Sequence, residues 1–444
     1  MKKVSLVSLG CSKNLVDAEE MLGILEDNGF EIAVSEEDAD IMIVNTCAFI
    51  DSAKQESIDC ILEHAKYKDQ DKNKVLVVTG CMSQRYKEEL KKEIPEVDIV
   101  VGTNEYDKLA EILKNYKASD PQIYCSDEYM ARTDLKRVVT TPTYMAYLKI
   151  AEGCDNHCTY CVIPSIRGKY RSRSLEEILS EAKRLVGGGA KELVVIAQDT
   201  TRYGIDRYGE YKLPELLDEL CKIEGLHWIR LHYLYPELLT DELIQTVARQ
   251  KKICNYFDIP IQHCNDEILK LMGRRTNKKQ ITDLVKKLRK DIPDAVIRTT
   301  LIVGFPTETD EQFDELRDFV TEMEFDRLGA FAYSQEEGTP AARMKGQLDE
   351  EEKLTRQELI MVDQAAVSEE LNQRRIGKVF ETLVEGYDAI IKQYYGRTYG
   401  DSDEIDGKVF FVSKKKLIAG EFVNVKITDY SEYDLYGEAE MEEC

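Results

Sequence analysis

The stretch AYLKIAEGCDNHCTYCVIP, residues 146–164, joins an apolar, strand-like run to a loop that carries three cysteines. Cys154, Cys158 and Cys161 are separated by three and then two residues, so one short loop presents three thiol groups. Iron–sulfur clusters are held by cysteine thiolates, and a loop of this kind can bend around one face of a cubane cluster. The stretch therefore predicts a cluster in which one iron has no protein ligand.

Two other interpretations of the loop remain open. A zinc ion would need His157 as its fourth ligand, but adjacent residues such as His157 and Cys158 cannot easily point at one tetrahedral ion. Structural zinc sites are also usually built from two separated Cys-x-x-Cys pairs. The other possibility is that the three cysteines are simply buried side chains. The iron–sulfur interpretation accounts best for their spacing.

Around this stretch, strand-like runs alternate with amphipathic helical patterns from residue 144 to residue 334. Six such rounds predict a partial barrel of six β/α units, in which the chemistry lies at the carboxyl ends of the strands. An alternation on a smaller scale, with strand-like runs such as IMIVNT (41–46) and VLVVTG (75–80), predicts a parallel sheet in the N-terminal part. The fold class is therefore α/β in both parts.

The pattern also predicts domain boundaries. Residues 1–118 form the N-terminal parallel-sheet domain, 119–137 a linker, 138–372 the barrel and 373–444 a C-terminal domain. The last domain has three strand-like runs, VFETLVEGY, KVFFVS and EFVNVKITDY, and these predict a small β-barrel of the oligonucleotide-binding size.

Three more cysteines each follow a predicted strand of the first domain. Cys11 ends SLGC, Cys47 ends NTC and Cys81 ends TGC. The carboxyl ends of parallel strands share one edge of a sheet, where open α/β folds bind ligands. We therefore expect a second three-cysteine cluster site at this edge. The other cysteines are interpreted as small buried side chains (Cys60, Cys221, Cys254) or have no evident partner (Cys125, Cys264, Cys444).

Charge and composition limit the partners. The 444 residues carry a formal net charge of −24, and no stretch forms a long Lys/Arg stripe. A nucleic-acid partner is thus disfavoured, whereas a basic protein suits the acidic chain. The C-terminal domain from Lys378 onward has 15 acidic and 8 basic residues. We find no signal peptide or apolar run long enough to span a membrane, and clustered cysteines suit a reducing compartment, so we expect a cytoplasmic protein without a membrane partner.

The CDNHCTYC loop, placed after the first strand of a six-stranded partial barrel, resembles that of the radical S-adenosylmethionine enzymes. The resemblance implies that S-adenosylmethionine is the missing ligand of a 4Fe–4S cluster and is cleaved to a 5′-deoxyadenosyl radical. It also suggests cofactor-binding positions. Tyr160 matches an adenine-contacting position, Gly304 and Glu308 belong to IVGFPTE at 302–308, and Gln198 and Asp199 stand where another family motif is replaced. Gln198 and Asp199 could equally be polar residues at a strand end whose hydrogen bonds are satisfied within the protein. No catalytic side chain is predicted.

The six cysteines in this order resemble the methylthiotransferases, which have an N-terminal cluster domain and a C-terminal TRAM domain. The resemblance implies two 4Fe–4S clusters and two uses of S-adenosylmethionine, one to methylate sulfur and one to make the radical. SLGCSKNLVDAE and CVIPSIRGKYRSR look like the branch that modifies the β-carbon of an aspartate in small-subunit ribosomal protein twelve. The sulfur donor and electron donor stay unidentified.

The barrel has basic residues that could hold the cofactor or a substrate carboxylate, namely Arg167, Arg171, Arg173, Arg274 and Arg275. Two alternative functions remain. One is a methylthiotransferase acting on an adenosine of transfer RNA, which the acidic C-terminal domain disfavours. The other is an electron-transfer or RNA-binding protein that carries two clusters without radical chemistry.

Overall fold

The computed structural model describes residues 1–117, 122–128 and 136–440. The first unit is a six-stranded sheet in which every neighbouring pair is parallel, in the order β2-β1-β3-β4-β5-β6. Its strands are β1 (Lys3–Ser8), β2 (Glu31–Ile32), β3 (Ile41–Thr46), β4 (Val75–Gly80), β5 (Ile99–Val101) and β6 (Gln122–Tyr124). Its helices are α1 (Ser12–Asp27), α2 (Asp51–Gln70), α3 (Cys81–Glu93) and α4 (Leu109–Asn115), with a 3₁₀ turn at Tyr106–Lys108.

The two central strands show why this sheet is parallel. All residues of β3 and β4 are buried, as expected for strands covered by helices on both faces. The sheet also extends further than the sequence indicated, because β6 pairs with β5 inside the range 119–137 that was predicted to be a linker. A three-residue edge strand is too short to give a periodic signal. The remaining linker residues 119–121 and 129–135 lie outside the described residues.

The second unit is the predicted six-stranded parallel barrel sheet, in the order β14-β13-β12-β11-β10-β7. Its strands are β7 (Met145–Lys149), β10 (Glu192–Ile196), β11 (Trp228–Leu231), β12 (Ile253–Asp258), β13 (Val296–Val303) and β14 (Arg327–Ala332). A separate antiparallel pair, β8 (Ala151–Glu152) and β9 (Arg171–Ser172), brackets the three-cysteine loop.

The helices of this unit lie mostly on the outer face of its sheet, apart from the first one, which packs against the N-terminal domain. They are α5 (Ile163–Arg167), α6 (Leu175–Gly187), α7 (Ile205–Tyr208), α8 (Leu213–Cys221), α9 (Asp241–Arg249), α10 (Asp266–Leu271), α11 (Lys278–Asp291), α12 (Asp310–Met323) and α13 (Glu350–Gln373), with 3₁₀ turns at Thr200–Arg202, Pro236–Leu238 and Ala341–Arg343. Capping boxes at Ser174, Asn277 and Thr309 fix the starts of α6, α11 and α12, because each side chain accepts a bond from the helix's first turn.

The inner face of the barrel sheet is closed by the two flanking units. Val16 of α1 and Leu383 of the C-terminal domain are both fully buried in one cluster with Tyr147, Ile196 and Tyr256 of the barrel strands. The cysteine-bearing N-terminal domain therefore packs against the interior side of the partial barrel, which a complete barrel would enclose by itself.

The C-terminal unit is a closed five-stranded barrel in the order β15-β16-β17-β19-β18. Its strands are β15 (Val379–Asp388), β16 (Gln393–Thr398), β17 (Val409–Val412), β18 (Phe422–Tyr430) and β19 (Leu435–Ala439). The small barrel is confirmed, but the sequence indicated only three of its strands. The two others contain Gly396 and Gly437, which weaken a strand signal. A side chain at either position would collide with the carbonyl oxygen of the adjacent strand, so barrel closure requires these glycines.

Among the described residues, no helix combines the length and apolar character needed to cross a bilayer.

Candidate active site

The loop after β8 holds three cysteines that are mostly buried. Cys154 and Cys158 are buried, and Cys161 is partly buried. The backbone N–H of Asn156 donates to Sγ of Cys154 over 3.4 Å, and that of Ile163 donates to Sγ of Cys161 over the same distance. Bonds of this kind favour the thiolate form of sulfur.

The loop is fixed at both ends by backbone bonds. Cys154 N donates to Gly168 O over 3.1 Å, and Thr159 N donates to Met272 O over 2.9 Å. His157 points to solvent and is exposed, so it does not join the three thiols. The zinc interpretation thus loses the ligand that it required.

The donor set fits an iron–sulfur cluster better than a single metal ion. The three thiols are close enough to influence each other electrostatically. Within the described ranges, however, no three His, Cys, Asp or Glu side chains converge on one ion. Burial raises the pKa of Cys154 to about 11 and that of Cys161 further, so these thiols need a cationic partner to ionise. Sulfur-only ligation by separated thiolates is the chemistry of such clusters.

The structure also brings the three strand-end cysteines of the first domain together. Burial is the main cause that raises the pKa of the Cys47 thiol, and it also raises the pKa of Cys81 to about 12. The nearby Cys11 raises both pKa values further. Cys47 is anchored by Ser57, whose Oγ accepts from the cysteine N–H and donates to its carbonyl oxygen, both over 3.0 Å. The first domain thus presents a second sulfur-only donor set.

A glycine lets two of these cysteines approach. Gly10, next to Cys11, has a φ of +86°, and a Cβ built there would lie 2.9 Å from Sγ of Cys47. Any side chain at Gly10 would therefore displace the neighbouring thiol. The requirement explains why the run SLGC carries glycine directly before its cysteine.

Arg167 connects the two cysteine groups. It ends α5, the helix that follows Cys161, and its Nη2 donates to Sγ of Cys81 over 3.3 Å and to Oδ1 of Asn14 over 3.0 Å. Its Nη1 pairs with Asp17 and, over 3.3 Å, with Glu152. The side chain is buried, at 3% exposure. Val162 and Ile166 also pack into the core of the first domain together with Cys81, so the helix after the barrel's cysteine loop lies against the first cysteine group.

The cofactor-binding residues predicted from the resemblance lie around the three-cysteine loop that follows β8. Tyr160 packs on an apolar cluster that includes Phe305, so it lies beside the turn containing Gly304. Gly304 has a φ of +68°, and a Cβ there would lie 2.5 Å from Cγ of Lys353 on α13. Its lack of a side chain thus makes room for α13, and its contact with a cofactor stays a prediction.

Both carboxylate oxygens of Glu308 have partners in or beside the same turn. Its carboxylate accepts from the N–H groups of Gly304 (3.0 Å) and Phe305 (3.4 Å) and pairs with Arg356 over 2.7 Å. His263 lies 3.4 Å from its other oxygen. Although burial opposes ionisation, these bonds lower the pKa of Glu308. The side chain shapes the turn, whereas a direct cofactor contact remains a prediction.

Gln198 and Asp199 both support the three-cysteine loop. Oδ2 of Asp199 accepts from Nδ2 of Asn156 over 2.9 Å, and burial raises the pKa of this carboxyl group. Gln198 donates to Oε1 of Glu152 over 2.6 Å, while its own Oε1 is buried without a hydrogen-bond partner. That unsatisfied oxygen beside the loop is a place where a ligand could donate a bond.

The basic residues proposed from the sequence separate into two groups. Arg173 is bound to Glu181 and to the carbonyl oxygen of Lys149, and Arg275 is exposed, so neither points a free charge at the loop. Arg171 donates to the carbonyl oxygens of Arg167 and Lys169. Arg274, by contrast, is buried. Its Nη1 lies 3.9 Å from Sγ of Cys158, and its guanidinium group lies over the ring of Tyr235.

Some residues around the two sites were not predicted. Asn14 and Asp17 of α1 bind Arg167. Lys13 of α1 contacts Tyr233, and the hydroxyl of Tyr235 in the barrel lies 4.0 Å from Sγ of Cys158. The motif SLGCSKNLVDAE contains the first three, but their roles depend on the packing of α1 against the barrel. Of the other cysteines, Cys254 and Cys264 are buried and Cys60, Cys125 and Cys221 partly buried. Cys444 lies outside the described residues.

Three family models match the chain. Residues 3–102 match UPF0004, an uncharacterised protein family, residues 148–320 the radical SAM superfamily and residues 376–439 the TRAM domain. Among solved structures, the radical S-adenosylmethionine methyltransferase TsrM from Kitasatospora setae, with cobalamin and a 4Fe–4S cluster bound, aligns with a TM-score of 0.56. It is 16% identical and the alignment covers 77% of each chain, so it shows the fold alone. Fold and models define a radical SAM enzyme with a UPF0004 domain and a TRAM domain.

Curated relatives identify the family within this class. The ribosomal protein uS12 methylthiotransferase RimO of Clostridioides difficile (strain 630) is 54% identical over 99% of both chains. The protein of the same name from Lachnoclostridium phytofermentans is 50% identical over 99% of this chain and 100% of its own. The chain belongs to the ribosomal protein uS12 methylthiotransferases, a family of radical SAM enzymes that use 4Fe–4S clusters and S-adenosylmethionine.

Proposed function

We propose that the protein adds a methylthio group to the β-carbon of an aspartate in ribosomal protein uS12. The proposal rests chiefly on the two three-cysteine groups that Arg167 connects, since this residue ends the helix after one group and donates to Cys81 of the other. One group would hold a sulfur species, and the other would hold the centre that activates the substrate carbon. The family relatives, which are named for methylthiolation of uS12, support this substrate.

We propose the six cysteines as the ligands of two 4Fe–4S clusters. Each set has three thiols that influence each other electrostatically, and each set leaves one coordination position for an outside ligand. In the barrel this ligand is S-adenosylmethionine, and in the first domain it is the sulfur to be transferred. The cysteines of the first set are Cys11, Cys47 and Cys81, and those of the second are Cys154, Cys158 and Cys161.

Cys154, Cys158 and Cys161 would hold a cluster that, together with S-adenosylmethionine, would supply radical chemistry for activation of the substrate carbon. The chain itself supplies position and exclusion of water. Asn156 of the loop donates a hydrogen bond to Asp199, and Gln198, just after β10, donates one to Glu152. Tyr160 and the turn at Gly304 form a wall beside the loop that suits the adenosine moiety.

The first domain must hold its cluster at a fixed place relative to the barrel, because the substrate carbon has to meet both centres. Buried ion pairs between the units provide this constraint. Asp17 of α1 binds both Lys149 of β7 and Arg167 of α5, and all three side chains are at most 7% exposed. Breaking a buried pair of this type is costly, since it leaves an uncompensated charge. The ion pairs thus favour one relative orientation of the two sites.

The partner of the enzyme is proposed to be uS12 either free or within the ribosome. The net charge of −24 supports a basic protein partner, since complementary charge steers association. An acidic C-terminal barrel would repel a transfer RNA backbone. The enzyme would act where ribosomes assemble, in the cytoplasm, and its sulfur and electron donors stay unidentified.

Mass spectrometry of a strain that lacks the gene tests this function. Ribosomal protein uS12 should lose its methylthio group while transfer RNA nucleosides keep theirs, and a plasmid copy of the gene should restore the modification. A copy with Cys154→Ala should not restore it. Loss of the methylthio group from a transfer RNA adenosine, with uS12 unchanged, would instead assign the transfer RNA substrate.

A further inference from the structure

Lys13 is a buried cation located between the first cysteine group and the barrel. It lies in the first turn of α1, two residues after Cys11, and its residue exposure is 7%. Its Nζ is 3.4 Å from the ring centroid of Tyr233. Tyr233 follows β11 at the carboxyl end of the strand and has a φ of +60°, a strained value for a residue with a side chain. The lysine thus points from α1 toward the strand ends of the barrel.

The carboxylates near Lys13 are already bound to other cations. Asp258, a carboxylate that acts on Lys13 less strongly than Tyr233 and Cys11 do, accepts from Nη1 of Arg298 over 2.9 Å and from the N–H of Tyr233 over 3.0 Å. Asp17 binds Lys149 and Arg167. Within residues 1–117, 122–128 and 136–440, no carboxylate forms an ion pair with Lys13, and its ammonium group contacts an aromatic ring instead.

This situation is unusual for a buried charge. An ammonium group taken out of water is costly unless it is paired, and a cation–π contact returns only part of that cost. Two nearby cations with buried side chains do have acidic partners, since Lys149 binds Asp17 and Arg137 binds Glu19. His232, also nearby, is held by Ser402 and gives Lys13 no negative charge. Lys13 is therefore arranged to receive an anion from outside the chain.

We infer that the ammonium group of Lys13 binds the side-chain carboxylate of the substrate aspartate, with Tyr233 as the aromatic wall of this subsite. The inference rests on the proposed function and specifies how the substrate is recognised. In aspartate the β-carbon is bonded directly to the carboxylate carbon, so a fixed carboxylate also fixes the carbon that reacts. Lys13 lies two residues after Cys11, and its ammonium group contacts Tyr233 at the carboxyl end of β11, so it lies between the first cysteine group and the barrel strands.

An ammonium group at this position should make the enzyme prefer a negatively charged substrate side chain to a neutral one. An asparagine at the same position has nearly the shape of aspartate but cannot pair with the ammonium group. Hydrogen bonds to a charged partner are strong enough that we expect the wild-type enzyme to bind an aspartate peptide about 10- to 100-fold more tightly than its asparagine analogue. Lys13→Met, which keeps the length of the side chain without its charge, should bind the two peptides equally.

The test measures peptide binding without turnover. Wild-type holoenzyme, reconstituted without oxygen, is titrated with fluorescent uS12 peptides that carry aspartate or asparagine at the modified position, with S-adenosylhomocysteine in place of the active cofactor. Lys13→Met and Lys13→Gln are measured alongside, and Lys66→Met replaces an exposed lysine of α2 as the matched control. Iron content and thermal unfolding are recorded for every variant.

Loss of the aspartate preference in either Lys13 variant, with iron content unchanged and the control normal, would support the inference. Equal binding of both peptides by the wild-type enzyme would overturn it, as would a preference that persists in the variants. Loss of iron from the first site in both variants would also overturn it, because Lys13 would then serve the cluster. A separate turnover assay with the wild-type enzyme shows whether uS12 is modified at all, so failure of the proposed function is recognised independently.

Discussion

The guanidinium group of Arg167 donates a hydrogen bond to Sγ of Cys81 over 3.3 Å, although the two residues belong to different domains. Arg167 follows the barrel's cysteine loop, and Cys81 follows a strand of the N-terminal sheet. One buried side chain thus links the two proposed cluster sites. Its acidic partners Asp17 and Glu152 belong to α1 and β8, so the contact extends into a network of charges.

Replacing Arg167 should disturb both the fold and the first site. Arg167→Met leaves the buried Asp17 and Glu152 with less positive charge, which should lower the free energy of unfolding by about 3–5 kcal/mol. Chemical denaturation of the variant measures this loss. Arg207→Met, at an exposed arginine of α7, should change it by less than about 0.5 kcal/mol. Equal stability of both variants would show that the Arg167 network does not hold the domains together.

The two cysteine groups should have separable functions. A variant with alanine at Cys154, Cys158 and Cys161 should retain about half of the wild-type iron and form no 5′-deoxyadenosine. A variant with alanine at Cys11, Cys47 and Cys81 should also retain about half but should still cleave S-adenosylmethionine. Iron analysis and chromatography of the nucleoside products measure both results. If either triple variant kept all of its iron, the assignment of those ligands would be wrong.

Glu308 should affect cofactor binding through the turn that it holds. Glu308→Gln removes the charge that binds Arg356 and one acceptor for the N–H groups of Gly304 and Phe305. A loss of about 1–3 kcal/mol in this buried network should loosen the turn. We expect weaker binding of S-adenosylmethionine, measured by calorimetry, with unchanged iron content. Glu311→Gln, an exposed neighbour on α12, is the control, and equal affinities in the two variants would contradict the role given to the turn.

Acid should weaken the junction between the two barrels. Glu192 of β10 accepts from Arg230 and from Arg397 of β16, each over 2.7 Å. Burial alone would raise the pKa of Glu192, but the two arginines outweigh it and lower the pKa from 4.5 to about 2. Because the folded pKa lies below the unfolded one, the stabilisation is present above pH 4.5 and is lost as the pH falls toward 2.

The pH effect can be measured on cluster-free protein, so that acid loss of iron does not enter. The shift corresponds to roughly 3 kcal/mol, and the wild-type chain should lose this much more stability than Glu192→Gln between pH 6 and pH 2. Glu242→Gln on the exposed face of α9 should follow the wild-type curve. Parallel curves for the wild type and Glu192→Gln would mean that the carboxylate titrates normally.

The sequence predicts the parts of this molecule that depend on local patterns. The parallel sheet, the six barrel strands and the small C-terminal barrel follow from hydrophobic runs and turn residues, and all three are confirmed. Strands β2, β6, β9, β16 and β19 were missed, because they are short or contain glycine and their conformation depends on pairing with a neighbouring strand. The boundaries of the domains remain predictions.

In the candidate site, too, local sequence patterns predict some features, whereas others depend on contacts between distant parts of the chain. Spacing within one loop indicated Cys154, Cys158 and Cys161, and strand-end positions indicated the other three cysteines. The roles of Arg167 and Lys13 could not be predicted in this way. Each depends on contacts across a domain boundary, Arg167 with α1 and α3 and Lys13 with Tyr233, and no local pattern encodes how α1 packs on the barrel.

The central claim is that two cysteine-held centres act together on uS12. The most direct test incubates anaerobically reconstituted enzyme with uS12, S-adenosylmethionine, sulfide and a reductant, and maps the product by tandem mass spectrometry. The account predicts a methylthio group on the β-carbon of one aspartate, with 5′-deoxyadenosine and S-adenosylhomocysteine formed alongside. Formation of 5′-deoxyadenosine with unmodified uS12, while transfer RNA in the same mixture gains a methylthio group, would contradict it.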